Sequence, residues 1–189
     1  MENRNKILDC ALELFSARGY ESVGVQEIAL AAGITKPTLY HYFGSKTGLL
    51  EALLEQYHAP LNQSIREAAT YQGDLPMTLE KIAEAFFIYA RQNPQYYRMQ
   101  LALLFAPRES ETCQLALKRN EAQYQMIEKL FRVAVKDHGN MAGRQNQFAV
   151  TFIGMVNTYI SMGLNGQIDL DQDLVYRIVR QFQHGIYSG

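Results

Sequence analysis

Apolar residues recur along this chain at the three- and four-residue spacing of an amphipathic α-helix. The first such stripe consists of Ile7, Leu8, Ala11, Leu14 and Phe15, and it stops before a glycine. The same period returns in nearly every later segment, and no stretch alternates apolar and polar residues over the length of a strand between turn signals. The pattern predicts an all-α protein of about nine helices.

Glycine, proline and small polar residues mark the predicted helix ends. A short second helix stops at Gly33, and a third begins after Thr35 with Pro37 in its first turn, where a missing N–H is tolerated. Gly44 ends the third helix, and Ser45 caps a long fourth one. Later breaks predict five more helices. The fifth ends near residue 93, the sixth covers about 95–105, and the seventh runs from after residue 107 to 138. The eighth and ninth span about 144–164 and 171–187.

The chain has 189 residues, of which 48% are hydrophobic and 20% are charged. This composition is typical of a folded globular protein and excludes disordered, collagen-like and disulfide-rich classes. The formal net charge is −1, so the chain lacks the overall basic excess of a non-specific nucleic-acid binder, and any DNA site must be local.

No pattern in the sequence indicates catalysis, a metal site or a cofactor. Cys10 and Cys113 lie far apart without cysteine or histidine neighbours, and the four histidines are scattered. No glycine-rich phosphate loop or HExxH motif occurs. We therefore expect a protein that is not an enzyme and binds neither metal nor cofactor.

The N-terminus opens with an amphipathic pattern rather than the apolar core of a signal peptide. Residues 145–168 carry no formal charge, but many of them are polar and would need partners in a bilayer, which favours a helix buried in protein. These features predict a cytoplasmic protein with no membrane partner.

Residues 25–43 read as helix, tight turn and helix. Ala29 is small, as two closely crossing helices require, Gly33 allows the turn, and Leu39 anchors the second helix. This is a helix-turn-helix arrangement, which leaves the outer face of the second helix free to enter the DNA major groove.

The run VQEIA at 25–29, AGITKPTLYHYF at 32–43, then Ser45, Lys46, Leu49 and Leu50, closely resembles the DNA-binding domain of TetR-family transcriptional regulators. The resemblance covers about the first 55 residues. One departure is Gly24, which stands where the family often has serine or threonine, so Gln26 replaces a hydroxyl contact only in part.

The resemblance implies which residues touch DNA. Thr35, Thr38, Tyr40 and Lys46 would hold the phosphate backbone, and Gln26 would assist them. Lys36, Pro37, His41 and Tyr42 would face or flank the bases. Phosphate contacts position a recognition helix, whereas base contacts specify sequence.

The last two predicted helices carry more apolar surface than a single buried face needs. We expect them to form a self-complementary four-helix dimer interface, as they do in the TetR family. The residues expected there are Val150, Gly154, Asn157, Thr158, Ser161, Val175, Val179, Phe182 and Ile186. The alternative for this surface is an ordinary monomer core.

Aromatic residues are frequent in the fourth to eighth predicted helices. Each of them alone fits a core, but the resemblance implies a small-molecule pocket in this region. Candidate pocket residues are Tyr57, Leu61, Phe86, Tyr89, Met99, Phe105, Tyr124, Phe152 and Tyr159. Their chemistry suits an apolar or aromatic ligand.

These patterns together predict a helix-turn-helix DNA-binding domain over 1–46 and a larger helical ligand-binding and dimerisation domain over 47–189. The expected function is a sequence-specific transcriptional regulator, a homodimeric repressor on a palindromic double-stranded operator that a small-molecule effector releases. The alternative is a DNA-bound adaptor whose C-terminal domain binds a protein partner instead.

Overall fold

The computed structural model describes residues 2–138 and 141–185. Within those ranges the chain forms nine α-helices and no strand, which confirms the predicted all-α class. The helices are α1 (Glu2–Arg18), α2 (Val25–Ala31), α3 (Lys36–Phe43), α4 (Lys46–Ala68), α5 (Leu75–Gln92), α6 (Pro94–Leu104), α7 (Glu111–Ala134), α8 (Gln145–Leu164) and α9 (Gln172–His184).

Side-chain caps account for several of the helix starts. The Ser45 Oγ accepts the N–H of Gly48 at 2.9 Å. Ser110 caps α7, since its Oγ accepts the N–H of Cys113 at 3.2 Å, and α7 therefore starts later than Pro107 suggests. The Asp171 carboxylate accepts an N–H at the start of α9 at 2.8 Å. The predicted end of the last helix, at residue 187, lies outside the described residues.

The chain divides into two compact units. The first comprises Met1–Ala59 and Asn93–Arg119, and within it α1 packs against α2 and α6. Its core side chains include Ile7, Phe15 and Tyr96, each at most 2% exposed.

The second unit comprises Pro60–Gln92 and Asn120–Gly189, and within it α5 packs against α8 and α9. Phe86, Phe131 and Phe152 lie in its core. The predicted boundary after residue 46 is not one of these packing boundaries, and it stays a prediction.

Helix α8 contains most of the uncharged stretch noted in the sequence. Its inner face is buried, through Ala149, Phe152, Ile153, Val156 and Ile160. Over the described ranges, each helix is too short or too polar to cross a membrane.

Candidate nucleic-acid interface

Helices α2 and α3 are joined by a turn that depends on glycine. Gly33 has φ +68, in the left-handed region that a Cβ disfavours. The Ile34 N–H donates to the Ala29 carbonyl at 2.9 Å and closes the turn. Ile28 and Ala29 are fully buried, so α2 is fixed in the core of the first unit.

Helix α3 begins at a threonine cap. The Thr35 Oγ1 accepts the N–H of Thr38 at 3.3 Å, and the two hydroxyls lie 2.8 Å apart. One turn later Leu39 is fully buried and anchors the helix. The cap and the anchor together set the rotation of α3, and thus which side chains face solvent.

The outward face of α3 carries the predicted base-reading residues. Lys36, Pro37 and His41 are exposed, and Tyr40 and Tyr42 are each 40% exposed. The Lys36 ammonium lies 5.7 Å from the centroid of the Tyr40 ring, and the His41 and Tyr42 rings are 5.8 Å apart. The structure therefore places two neighbouring pairs, Lys36 with Tyr40 and His41 with Tyr42, on the exposed part of α3, where Pro37 is exposed as well.

Lys46 lies differently from the residues of α3. Its ammonium donates to the Tyr20 carbonyl at 2.6 Å and sits 4.0 Å from the centroid of the Tyr20 ring. Burial lowers the pKa of Lys46, while the nearby Glu21 charge acts to raise it. Lys46 is thus half-buried and already bonded within the first unit.

The start of α2 shows what the glycine at position 24 changes. Gly24 is the N-cap and offers no side-chain hydrogen bond, whereas Gln26 is exposed two residues later. Arg18 forms an ion pair with Glu27 in the first turn of α2.

Two basic residues near this surface were missed by sequence reasoning. The Arg4 guanidinium lies 5.6 Å from the centroid of the Phe43 ring, at the end of α3. The Lys6 ammonium lies 3.6 Å from the position that a Cβ on Gly33 would occupy. Both come from α1, so only the packing of α1 against the turn reveals them.

The residues predicted for the dimer interface fall into two groups. On α8, Val150 is 49% exposed, and Gly154 and Thr158 are also exposed, with the Thr158 hydroxyl donating to the Gly154 carbonyl at 2.9 Å. Asn157 and Ser161 are half-buried. These five positions line the outer side of α8.

On α9 the prediction needs correction. Val175 and Val179 are 5% and 0% exposed, because their face of α9 packs into the core of the second unit. Phe182 is half-buried, with its ring 5.4 Å from that of Phe152. Ile186 lies outside the described residues.

A groove of about 740 Å³ runs along the outer faces of α8 and α9. Its apolar lining residues are Phe148, Met155, Tyr159, Met162 and Phe182. Tyr159, predicted for a ligand pocket, therefore lies in this groove.

The other predicted pocket residues are divided between the units. Tyr57 and Met99 belong to the first unit, with Tyr57 half-buried and Met99 buried. Phe105 also belongs there but is 87% exposed, because α6 ends at Leu104 and leaves Phe105 outside the helix. This corrects the prediction for Phe105.

The remaining five belong to the second unit, where Tyr124 is half-buried and the others, Leu61, Phe86, Tyr89 and Phe152, are buried. Burial raises the pKa of the Tyr124 phenol, as it does that of Tyr57. These side chains form core, and none of the five lines the groove along α8 and α9.

His58 belongs to no motif in the sequence, yet it is buried in the first unit. It is 3% exposed, and its Nδ1 is hydrogen-bonded to the hydroxyl of Tyr96. Tyr96 in turn stacks on Tyr57 at 4.9 Å between ring centroids. The available signal was its place in the apolar stripe of α4, four residues after Leu54.

Residues 7–53 match the family model of bacterial regulatory proteins of the tetR family. The HTH-type transcriptional activator FasR of Mycolicibacterium smegmatis is 30% identical to this chain over 184 residues. That match covers 97% of this chain and 82% of the relative.

Solved structures share the fold at lower identity. The fatty acid degradation regulator FadR from Bacillus halodurans has a TM-score of 0.81 and 18% identity, over 100% of this chain and 98% of that one. The transcriptional regulator FadR from Bacillus subtilis, solved in complex with stearoyl-CoA, has a TM-score of 0.82 and 19% identity, over 96% and 98%.

Proposed function

This chain belongs to the TetR family and is a DNA-binding transcriptional regulator, and from that premise we propose that it acts as a homodimeric repressor on a palindromic operator. A small, largely apolar or aromatic ligand would release it. The observation that carries the proposal is the surface of α3, where a buried Leu39 fixes a helix whose outer face is exposed and rich in donors.

The recognition helix would divide its contacts in two. Lys36, His41 and Tyr42 would face base edges, where a lysine can donate to guanine O6 and N7, and Pro37 would lie against a thymine methyl. Phosphate contacts would fix the register of the helix on the duplex.

The proposed phosphate contacts come from Thr35, Thr38, Tyr40 and Lys46. The two threonine hydroxyls lie at the N-terminus of α3, where backbone N–H groups and the helix dipole also favour an anion. Lys46 uses one of its three N–H donors on Tyr20, so two remain for a phosphate oxygen. Gln26 would add a contact from α2.

A second copy of the chain is the occupant that we propose for the outer faces of α8 and α9. Val150, Gly154 and Thr158 are accessible there, and a Cβ added to Gly154 would meet no atom within 4 Å. The apolar groove beside them supplies area for association. A two-fold dimer would place its recognition helices on half-sites one helical turn apart, or a multiple of it.

Ligand control would work as a population shift. A ligand that binds better to a dimer with wrongly spaced recognition helices would lower operator occupancy. The structural relative from Bacillus subtilis holds stearoyl-CoA, so long-chain acyl thioesters are the first effector class that we would test.

Selection from random duplex DNA tests the proposal. We expect a palindromic sequence bound at nanomolar concentration, with a steep dependence on salt. A Tyr40→Ala, Lys46→Ala double variant should bind it more weakly and with a shallower salt slope. Enrichment of no sequence would contradict the proposed operator recognition.

The sign of regulation needs its own test, because the relative FasR is an activator. A reporter placed downstream of the selected operator should fall when this chain is expressed. A rise in the reporter would show activation and reject the repressor.

The open groove also makes a protein-binding adaptor the second candidate. For the repressor, sedimentation should give a dimer, and an acyl thioester should lower operator affinity. The adaptor would be favoured if acyl thioesters left operator affinity unchanged and the DNA-bound chain bound a protein partner through this groove.

A further inference from the structure

A cavity of about 690 Å³ in the second unit includes none of the predicted pocket residues in its wall. It is bounded by the start of α5, the end of α7, the start of α8 and the end of α9. Phe131, Phe148 and Phe182 form its apolar wall, with ring centroids 5.6 to 6.3 Å apart. Its volume lies within the range of about 300–1,000 Å³ that is usual for small-molecule sites.

Basic side chains outnumber acidic ones around this cavity. Arg144 and Arg180 line it, and Glu80 is the sole carboxylate among its described lining residues. The Arg144 guanidinium lies 5.1 Å from the centroid of the Phe148 ring, and that of Arg180 lies 5.8 Å from the centroid of the Tyr176 ring. Each cation thus sits beside an aromatic ring, so charge and apolar surface occur together.

A histidine in the same wall has an unsatisfied nitrogen. The Nε2 of His138 is buried, and it has no hydrogen-bond partner within the described residues. A buried polar atom without a partner is unfavourable, so a hydrogen-bonding group in the cavity would stabilise this nitrogen.

We propose that this cavity binds an organic anion, in which a carboxylate or a phosphate is attached to an apolar body. The anionic group would lie between Arg144, Arg180 and His138, and the apolar body against the three phenylalanine rings. Guanidinium groups match both anions in geometry and form strong charge-assisted hydrogen bonds with them. The inference rests on the proposed function for the use of the ligand as an effector. Arg144, Phe148 and Phe182 line both this cavity and the groove along α8 and α9, whereas Phe131, His138 and Arg180 line the cavity and not the groove.

The test compares two fluorescent probes with the same aromatic body. 8-Anilinonaphthalene-1-sulfonate carries an anionic group, and N-phenyl-1-naphthylamine lacks it. Both are titrated into the full-length protein without DNA, with sedimentation and far-UV circular dichroism confirming the same folded assembly for each variant.

Arg180→Gln and Arg144→Gln should each weaken binding of the anionic probe, by about tenfold for one lost charge-assisted contact, and should leave the neutral probe unchanged. Glu80→Gln should tighten binding of the anionic probe, because it removes the opposing charge. Arg177→Gln is the matched control, since Arg177 is exposed on the same helix as Arg180 and lies outside the cavity wall.

Displacement of the anionic probe identifies the head group. Decanoate or decyl phosphate should displace it at lower concentration than decanol does. A carboxylate site is indicated if decanoate displaces the probe at the lower concentration of the two anions, and a phosphate site if decyl phosphate does.

Equal binding of the two probes, equal displacement by decanol, or an equal effect of Arg177→Gln would overturn the proposal. So would a failure of the anionic probe to saturate. Operator binding is measured separately, so these outcomes are distinct from a failure of the proposed DNA recognition.

Discussion

Lys46 shows how one side chain can serve both the fold and the DNA surface. Its ammonium is bonded to the Tyr20 carbonyl and lies over the Tyr20 ring, while two N–H donors remain. Lys36 lies on the exposed face of α3, and the ring beside its ammonium, that of Tyr40 at 5.7 Å, is itself 40% exposed. The same residue type therefore has different energetic consequences ten positions apart.

We expect Lys46→Met to lower both the free energy of unfolding, by about 1 kcal/mol for the lost hydrogen bond, and the affinity for the operator. Lys36→Met should lower operator affinity alone, with a change in stability within about 0.5 kcal/mol. Urea unfolding and DNA titration on the same samples check this. An unchanged stability for Lys46→Met would show that the bond to Tyr20 contributes nothing.

Tyr71 makes the free energy of unfolding depend on pH in the alkaline range. Burial, together with a hydrogen bond from its hydroxyl to the Asp137 carboxylate at 2.8 Å and the charge of that carboxylate, raises the pKa of Tyr71 to about 12 from the ordinary 10.0. The folded state thus keeps a proton that the unfolded state loses above pH 10. The stability from this tyrosine is complete below pH 10 and is lost as the pH rises towards 12.

Tyr71→Phe should therefore reduce the loss of unfolding free energy between pH 10 and 12, relative to the unsubstituted chain. Below pH 9 it should be less stable by about 1 kcal/mol because the hydrogen bond is gone. Urea unfolding across this pH range measures both effects, and ultraviolet titration of tyrosinate locates the pKa. An identical slope in the two proteins would contradict the assignment.

Among single residues, the sequence predicts local roles better than it predicts burial partners. The cap by Thr35 and the anchor at Leu39 follow from neighbours in the chain, and both are observed. The apolar stripe of α9 predicts a covered face but not which helix covers it, so it misplaces Val175 and Val179 in a dimer surface. The sequence places Phe105 inside the predicted helix over 95–105. In the structure α6 ends at Leu104, one residue before Phe105, and the side chain is exposed.

At the scale of elements, a close approach fixes the junction of α3 and α4. A Cβ on Gly48 would lie 2.1 Å from the carbonyl oxygen of Phe43, so the backbone itself would have to move. By contrast, a Cβ on Gly24 would meet no atom within 4 Å, and its φ of −88 suits any residue.

Gly48→Ala should therefore lower the unfolding free energy by about 1–3 kcal/mol, the usual range for overpacking, despite the better helix propensity of alanine. Gly24→Ala is the control without a steric clash, and it should cost only the replacement of a glycine N-cap by alanine, about 0.5–1 kcal/mol. Chemical denaturation monitored by circular dichroism makes the comparison. If the two variants proved equally stable, the close approach would carry no energetic weight.

The helices themselves follow from periodicity and caps, which is why their number and class were predictable. Helix boundaries differ from the predicted ones where a side chain caps the helix at another residue. Ser110 does so at the start of α7. The basic surface near α3 was predictable in part. Lys36 belongs to the motif, whereas Arg4 and Lys6 reach it through the packing of α1, which local patterns do not encode.

At the scale of the whole molecule, the proposed dimer depends on the exposed side of α8. We expect the unsubstituted chain to sediment as a dimer at micromolar concentration. Val150→Glu should place two like charges in the interface and leave a 21.6 kDa species under the same conditions. Operator affinity should fall with it, since half-sites would bind separately.

The control for this variant is Val133→Glu, because Val133 is 40% exposed on α7 and Val150 is 49% exposed on α8. It adds the same charge away from the proposed interface and should leave sedimentation unchanged. A dimer that survives Val150→Glu would place the interface elsewhere.

The packing of α1 against α6 within the first unit also matters for experiments that exchange DNA-binding domains between regulators. A crossover at residue 46 would transplant α1 without α6 and would leave its apolar side against a foreign helix. A graft that carries residues 93–119 along with residues 1–59 keeps that partnership intact. We therefore expect the DNA-binding unit of this regulator to be transferable as two stretches of chain, 1–59 and 93–119, and not as its N-terminal segment alone.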